Sequence, residues 1–481
     1  MQESEKRTVA KGFLWTSIEQ FGTKLISTLL SIVLARLLSP DHFGVIAICT
    51  VFFLILSAFI EGGFSDALIQ KKSATEDDYA TVFWFNLGTG ILLYFLLFVG
   101  APLVSKFFEE AGITNVLRVF GLALIVSSFS FVQRVTLLKT LNFKKLAQVK
   151  VPALLFSSVV GIVFAYYGFG VWALVFQQLS LYSIETILLW MKGSWRIKFT
   201  FSKNSFNSLF YFGSKLLLSN LLSRIYANSY RFFIGKFYSP AILGLYTKSV
   251  NLQQLPSSTI VSVFTKVAYP YLVRYQDDNE KLKSYYGRLL GFASFLLFPI
   301  VAWMAVFANE IVLFLLGEKW EAAGKYLQVI SLVGFFYPFN LFSIELFKVK
   351  RRGGLFLKLE LMKKGLFIIA IVLLISRGIE VVLIGEVVVT AVCTTLYVYF
   401  SARQINSSVY SQFLSCSFVL FWSVASAFLV SLLMMHLNLS VTLRVPLSFV
   451  SIAILYVGGV YVFKRTLIND ILNYAVLWNK K

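Results

Sequence analysis

Ile91-Leu92-Leu93-Tyr94-Phe95-Leu96-Leu97-Phe98-Val99-Gly100 is continuously apolar. A membrane β-strand would alternate apolar and polar side chains over about 10 residues, so this stretch excludes a β-barrel. Runs of the same kind recur from residue 12 to residue 466 with only short polar interruptions. A transmembrane helix needs about 20 mostly apolar residues, and these runs supply that length repeatedly. The whole composition agrees: 58% of the 481 residues are hydrophobic, 14% are charged and the mean hydropathy is +0.77, where a soluble domain carries about 25% charged residues. The class is an all-α polytopic membrane protein.

Polar and Gly/Pro punctuation predicts fourteen spans, near 12-38, 42-64, 79-104, 114-133, 147-167, 170-191, 206-234, 241-271, 286-308, 322-347, 354-376, 379-402, 411-436 and 443-464. The longest polar stretches, around 192-205 and 273-288, are loops too short to fold as domains, so function resides inside the membrane. Residues 1 to 11 are polar and the apolar run after them has full transmembrane length, which does not resemble a cleavable signal.

Several chemistries are disfavoured. Cys49, Cys393 and Cys416 sit in apolar segments without CxxC spacing, and His42 and His436 are far apart, so no disulfide framework, metal site or His-based catalytic triad is expected. No cofactor is implied. The net charge of +21 comes from basic residues dispersed over loops, a pattern of membrane topology and anionic headgroups rather than of nucleic-acid binding.

Of the 44 Lys and Arg, 28 fall on the side that would hold both termini and 8 on the other. The positive-inside rule then predicts cytosolic termini and an even number of spans. The remaining eight lie within spans: Lys24 in the first, Lys215, Arg224 and Arg231 in the seventh, Lys248 and Lys266 in the eighth, Lys363 and Lys364 in the eleventh. A charge at the bilayer centre costs roughly 2.5–3.5 kcal/mol on insertion scales, so such groups face a cavity or a partner unless they snorkel to an interface. Lys363 and Lys364, close to the basic loop 348-358, suit snorkelling. Lys24, Lys215, Arg224, Arg231 and Lys248 are the candidate cavity cations. Gln20, Lys24, Ser27 and Ser31 recur at helical spacing, and Arg224 and Arg231 share a face, so polar stripes on several helices would enclose a wet chamber. The acidic residues inside the bilayer are Glu19, Glu61, Glu185, Glu345 and Glu386. Glu19, Glu61 and Glu185 are candidates for ion coupling, or else partners of neighbouring cations.

An internal repeat organises these positions. Phe21-Gly22-Thr23-Lys24-Leu25 returns as Phe212-Gly213-Ser214-Lys215-Leu216, and Ser39-Pro40-Asp41-His42-Phe43-Gly44 returns as Ser239-Pro240-Ala241-Ile242-Leu243-Gly244. Each pair stands near the start of a six-span block. The expected organisation is an N-terminal lobe over 1-205, a second lobe of the same topology over 206-405, and two further helices with a cytosolic tail over 406-481, the lobes enclosing a central cavity. Transporters commonly bind substrate between such repeats.

Further motifs carry a family resemblance. Ala35-Arg36-Leu37-Leu38-Ser39-Pro40 with Phe43-Gly44, Gly63-Phe64-Ser65-Asp66-Ala67-Leu68-Ile69-Gln70-Lys71-Lys72, Asn142-Phe143-Lys144-Lys145, Tyr167-Gly168-Phe169-Gly170-Val171-Trp172-Ala173-Leu174-Val175 and Gly317-Glu318-Lys319-Trp320 together resemble the polysaccharide-transporter branch of the MOP flippase superfamily, which includes Wzx-like lipid-linked oligosaccharide flippases and the colanic-acid and teichuronic-acid exporters. The resemblance runs from residue 6 to about 345 and more loosely beyond. It implies a bacterial inner-membrane flippase that moves undecaprenyl-pyrophosphate-linked oligosaccharide units to the outer leaflet, with polymerisation or export proteins as functional partners. An H+ or Na+ gradient, or the membrane potential acting on bound charge, is the expected driving force. The resemblance also implies two bundles around a cationic chamber, where Lys and Arg would hold pyrophosphate and acidic sugars. Many members have an acidic residue just before the Arg of span seven; here Tyr230 precedes Arg231, and that local ion pair is unavailable.

Two other classes compete. A MATE-type cation-coupled multidrug antiporter would need an acidic, aromatic-lined chamber, which the basic cluster opposes. A membrane-embedded glycosyltransferase or polymerase would need convergent carboxylates on a sizeable loop. Glu109, Glu110, Glu318 and Glu321 instead lie in two short ones. A non-enzymatic transporter is therefore expected.

Overall fold

The computed structural model describes residues 3–61 and 63–465, and among them every regular element is a helix. Residues 466-481, with Lys480 and Lys481 of the expected cytosolic tail, lie outside the described residues, as do Met1 and Gln2. The chain divides into two compact units, Met1–Gly244 and Leu245–Lys481. In chain order the first unit holds α1 (Glu3–Leu37), α2 (Pro40–Glu61), α3 (Phe64–Gln70), α4 (Glu76–Phe108), α5 (Ile113–Lys139), α6 (Phe143–Tyr166), α7 (Val171–Lys192) and α8 (Lys203–Phe237). α9 (Pro240–Val273) begins in it and continues into the second. That unit completes the chain with α10 (Asn279–Val306), α11 (Ala308–Leu316), α12 (Ala323–Ser331), α13 (Tyr337–Val349), α14 (Gly353–Leu374), α15 (Ile379–Gln404), α16 (Val409–His436) and α17 (Val441–Phe463).

Local chemistry places the breaks. Thr75 accepts from the Asp78 amide while the Asp78 carboxylate accepts from the Thr75 amide, a capping box that starts α4. Asn142, Ser202, Asp278 and Ser408 cap α6, α8, α10 and α16 with their side chains. Pro40 and Pro240 open α2 and α9, where a missing amide hydrogen costs nothing.

Among the described residues ten helical stretches are long and apolar enough to cross a membrane, and the chain is a multi-pass membrane protein. α1, α8, α9 and α14 are not among the ten. These four helices carry all eight cations that the sequence places within spans, Lys24, Lys215, Arg224, Arg231, Lys248, Lys266, Lys363 and Lys364.

In the first unit α4 packs on α5, α6 on α7 and α1 on α6, while α8 packs against α2, α3 and α4. An aromatic core centres on buried Phe83, with ring contacts to Trp84, Phe129, Trp190 and Trp195. The second unit packs α10 on α16, α14 on α15 and α16 on α17. Its core includes Tyr286, Phe298, Phe342 and Tyr456, and the Tyr286 hydroxyl donates to Gln412 at 3.0 Å, which satisfies a polar tip in an apolar interior. The division into compact units falls after α8, the helix that the repeat puts at the head of the 206-405 lobe. Packing and repeat thus partition the chain differently.

Candidate functional site

α2 and α8 are long neighbouring helices, and a charge from each meets at their contact: Glu61, the last residue of α2, and Arg224, midway along α8. Arg224 of α8 donates through Nη2 to Glu61 Oε2 at 2.5 Å, and through Nη1 to the Ser57 hydroxyl at 2.7 Å and the Leu54 carbonyl at 2.9 Å. Leu54, Ser57 and Glu61 are successive turns of one face of α2, so a single guanidinium spans two turns of its neighbour. Asn228, one turn further along α8 and buried, donates to the Arg224 carbonyl at 2.8 Å and accepts from Arg231 Nη1 at 3.3 Å. The two arginines on one face are therefore linked through an amide.

The side chains of Arg224 and Glu61 are 30% and 46% exposed. The pair is therefore partly accessible to solvent rather than packed away in the interior of the unit. A second pair lies nearby in the same unit, with Arg134 Nη2 donating to Glu185 Oε1 at 2.7 Å, and Tyr182 of α7 is within electrostatic reach of all four charges. The site is thus a chain of two neutralised pairs rather than a bare cluster of cations.

The other predicted residues are placed as follows. Lys24 is an exposed residue of α1 whose carbonyl accepts from the Ser27 and Thr28 hydroxyls. Lys215 is exposed, with Nζ 4.3 Å from the centre of the Tyr211 ring, a cation–π contact. Glu19 pairs with Lys150 of α6 at 3.4 Å. Lys248 belongs to the second unit, where it is 4% exposed and has Nζ 5.8 Å from the Trp320 ring. Glu345, also there, accepts from Lys348 at 2.8 Å. Four of the five intramembrane carboxylates therefore meet a cation, the alternative that the sequence left open beside ion coupling. Sequence reasoning passed over Ser57 and Asn228. Asn228 had a signal, since it stands four residues after Arg224 and three before Arg231, but Ser57 had none.

A family model described as "Polysaccharide biosynthesis protein" matches residues 33–325, well over half of the chain. The chain belongs to this family. Within this polysaccharide biosynthesis family, the teichuronic acid biosynthesis protein TuaB of Bacillus subtilis (strain 168) is 25% identical over 336 residues, covering 68% of each chain. Among solved structures, the lipid II flippase MurJ in an inward closed conformation superposes with a TM-score of 0.77 at 14% identity, over 95% of this chain and 100% of that one. An inward-facing multidrug resistance MATE family transporter of the MOP superfamily superposes with a TM-score of 0.61 at 18% identity, over 82% and 98%. At such identities the structural likeness establishes the fold. The chain is thus a member of the polysaccharide biosynthesis family and has the fold seen in MurJ and the MATE transporter.

Proposed function

We propose that this protein turns undecaprenyl-pyrophosphate-linked oligosaccharide units from the cytosolic to the outer leaflet of a bacterial inner membrane. In this reading both termini are cytosolic and fourteen spans form two six-helix lobes, 1-205 and 206-405, around a central cavity, with two added helices over 406-481. The observation that carries it is the exposed Arg224–Glu61 pair between α2 and α8, because a solvated guanidinium inside a membrane suits an anionic headgroup. Pyrophosphate offers Arg224 a bidentate partner in place of Glu61. Lys24, Lys215, Arg231 and Lys248 supply further positive charge, and Asn228 keeps Arg231 close to Arg224. Glu61, Glu185 and Glu19 are the groups through which H+ or Na+ would couple, Glu61 most directly, since it loses its partner when substrate arrives. The MATE fold is shared, but the charges around Arg224 favour an anion over a cationic drug.

The test is flipping of a lipid-linked oligosaccharide in vesicles holding the purified protein. Wild type is expected to expose the sugar on the far leaflet, and Arg224→Ala to leave it at the rate of empty vesicles while inserting normally. Full flipping by Arg224→Ala would remove Arg224 from the site. Orientation is tested separately: single cysteines at Glu110 and Glu321 should react with an impermeant maleimide from the outer face, and protection of both would reverse the topology.

A further inference from the structure

The second repeated motif has a property that the substrate site does not use. Pro40 and Pro240 open α2 and α9, and Gly44 and Gly244 follow one turn later, on the same helix face as their prolines. Neither glycine has a positive φ, so neither is needed for backbone conformation. Inside a helix, glycine costs about 1 kcal/mol relative to alanine. What both positions require is space. A Cβ on Gly44 would lie 1.8 Å from the Pro240 carbonyl oxygen, and a Cβ on Gly244 would lie 2.0 Å from the Pro40 carbonyl oxygen and 3.1 Å from the Gly44 nitrogen. The contact is reciprocal: the proline of each copy covers the glycine of the other, as in a two-fold interface between identical partners.

The surroundings are closed as well. Leu38 and Leu243 are buried, Gly235 sits against the Ile48 side chain, and Phe232 rings against Phe107 and Phe108. Lys236, the counterpart of Arg36 at the repeat spacing, donates to the Phe107 carbonyl at 2.7 Å and to Glu109 at 2.8 Å. These residues lie at the end of α8 opposite its cytosolic start in the proposed topology, outward of Arg224.

We propose that the reciprocal Pro40–Gly244 and Pro240–Gly44 contact is the outer seal of the transport path, closed in this structure and parted when substrate leaves on the outer side. The proposal rests on the two-lobe, alternating-access reading, because the repeat assigns the two halves of the contact to different lobes. Its physics suits a seal. Backbone packed directly on backbone gains dispersion only at short range, so a small separation forfeits most of the contact and the junction is either shut or open. No Cβ fits, so the shut state is available only to glycine.

The test uses the full chain with Cys49, Cys393 and Cys416 replaced by alanine and a reporter cysteine at Ser223, an exposed position of α8 one residue before Arg224. In right-side-out vesicles an impermeant maleimide should label Ser223→Cys slowly. Adding Gly44→Ala or Gly244→Ala should raise that rate about tenfold or more, because the shut state is overpacked. Gly22→Ala, where a Cβ meets nothing within 4 Å, should leave it unchanged. A second arm avoids the glycines: Asp41→Cys with Ala241→Cys, joined by a cleavable bifunctional thiol reagent, should stop flipping and release it on reduction. Unchanged labelling in both folded alanine variants, or flipping that continues in the linked protein, overturns the seal, and the linked arm decides alone if the alanine variants fail to insert. Labelling needs no substrate, so a responsive seal in a protein that flips no lipid-linked oligosaccharide would overturn the proposed function and leave the seal standing.

Discussion

α1 and α8 open the two repeats, each is 35 residues long, and each carries the Phe-Gly-x-Lys motif, yet their glycines meet different worlds. A Cβ on Gly22 would touch nothing within 4 Å, whereas one on Gly213 would come within 3.1 Å of the Gly63 backbone. Charges differ likewise. Glu19 of α1 pairs loosely with Lys150 of α6, and Arg224 of α8 is held by three acceptors on α2. At the outer turns, by contrast, both copies are equally crowded. The two copies share helix length and the Pro–Gly junction, and differ in an open α1 and an anchored α8. The anchored copy is the one that carries Arg224, the guanidinium proposed to meet substrate.

The largest expected effect breaks this comparison at its charges. Arg224→Ala removes a tethered guanidinium and leaves Glu61 without its cation, so export should fall about 100-fold or more, as for loss of a positioned charge partner. Lys24→Ala, in the open copy, should also impair export, but less, because the Lys24 ammonium is exposed rather than fixed. Polymer export in cells with matched protein levels checks both. Equal losses would mean that anchoring confers no advantage.

Next in size is the glycine pair at the inner end. Gly63 has φ +87°, and a Cβ there would lie 1.9 Å from the Gly213 carbonyl oxygen. Gly63→Ala therefore combines left-handed strain with a backbone clash and should cost about 2–4 kcal/mol. Gly22→Ala should be neutral or stabilising by about 0.5–1 kcal/mol, the helix-interior preference. Thermal unfolding in detergent, followed by a fluorogenic maleimide on the buried Cys49, Cys393 and Cys416, measures both. A Gly63→Ala protein as stable as wild type would show that α8 is not pinned at this height.

How far the sequence revealed this arrangement follows from the range of each interaction. Apolar runs such as Ile91 to Gly100 report helix and membrane locally, and the two motifs reported the repeat because each is contiguous. Arg224 was visible as a cation within the predicted seventh span. Its partners were not: Glu61 and Ser57 are more than 160 residues away, and only packing of α2 on α8 reveals which carboxylate neutralises which cation. The same holds for Lys248, which looked like its neighbours in sequence and proves to be buried beside Trp320.

A smaller effect tests the link between the two arginines of α8. Asn228→Ala removes one acceptor of Arg231 and a donor to the Arg224 carbonyl while leaving the Glu61 contact intact. A hydrogen bond to a charged group contributes roughly 1.5–3 kcal/mol, but Arg231 can find water in an exposed space, so export should drop only about 3- to 10-fold. A loss as deep as that of Arg224→Ala would make Asn228 a direct ligand.

The smallest effect belongs to the outer end of α8. Lys236 hydrogen-bonds to Glu109 and holds its carboxyl below the usual glutamate range, first through that bond and then through its charge. Because the folded value is depressed, the contact stabilises the protein above the unfolded glutamate pKa of about 4.3 and is lost as the pH falls through the folded value. Nothing should change between pH 5 and 8. Glu109 is fully solvated, so water and salt screen the pair and its contribution is slight. Unfolding temperature measured at pH 7 and again near pH 3.5 should fall a little further for wild type than for Glu109→Gln, and high salt should narrow the gap. If the two proteins respond identically at low salt, the outer end of α8 is held by Phe107, Phe108 and the Pro–Gly contact alone, and the Lys236 pair is incidental to closure there.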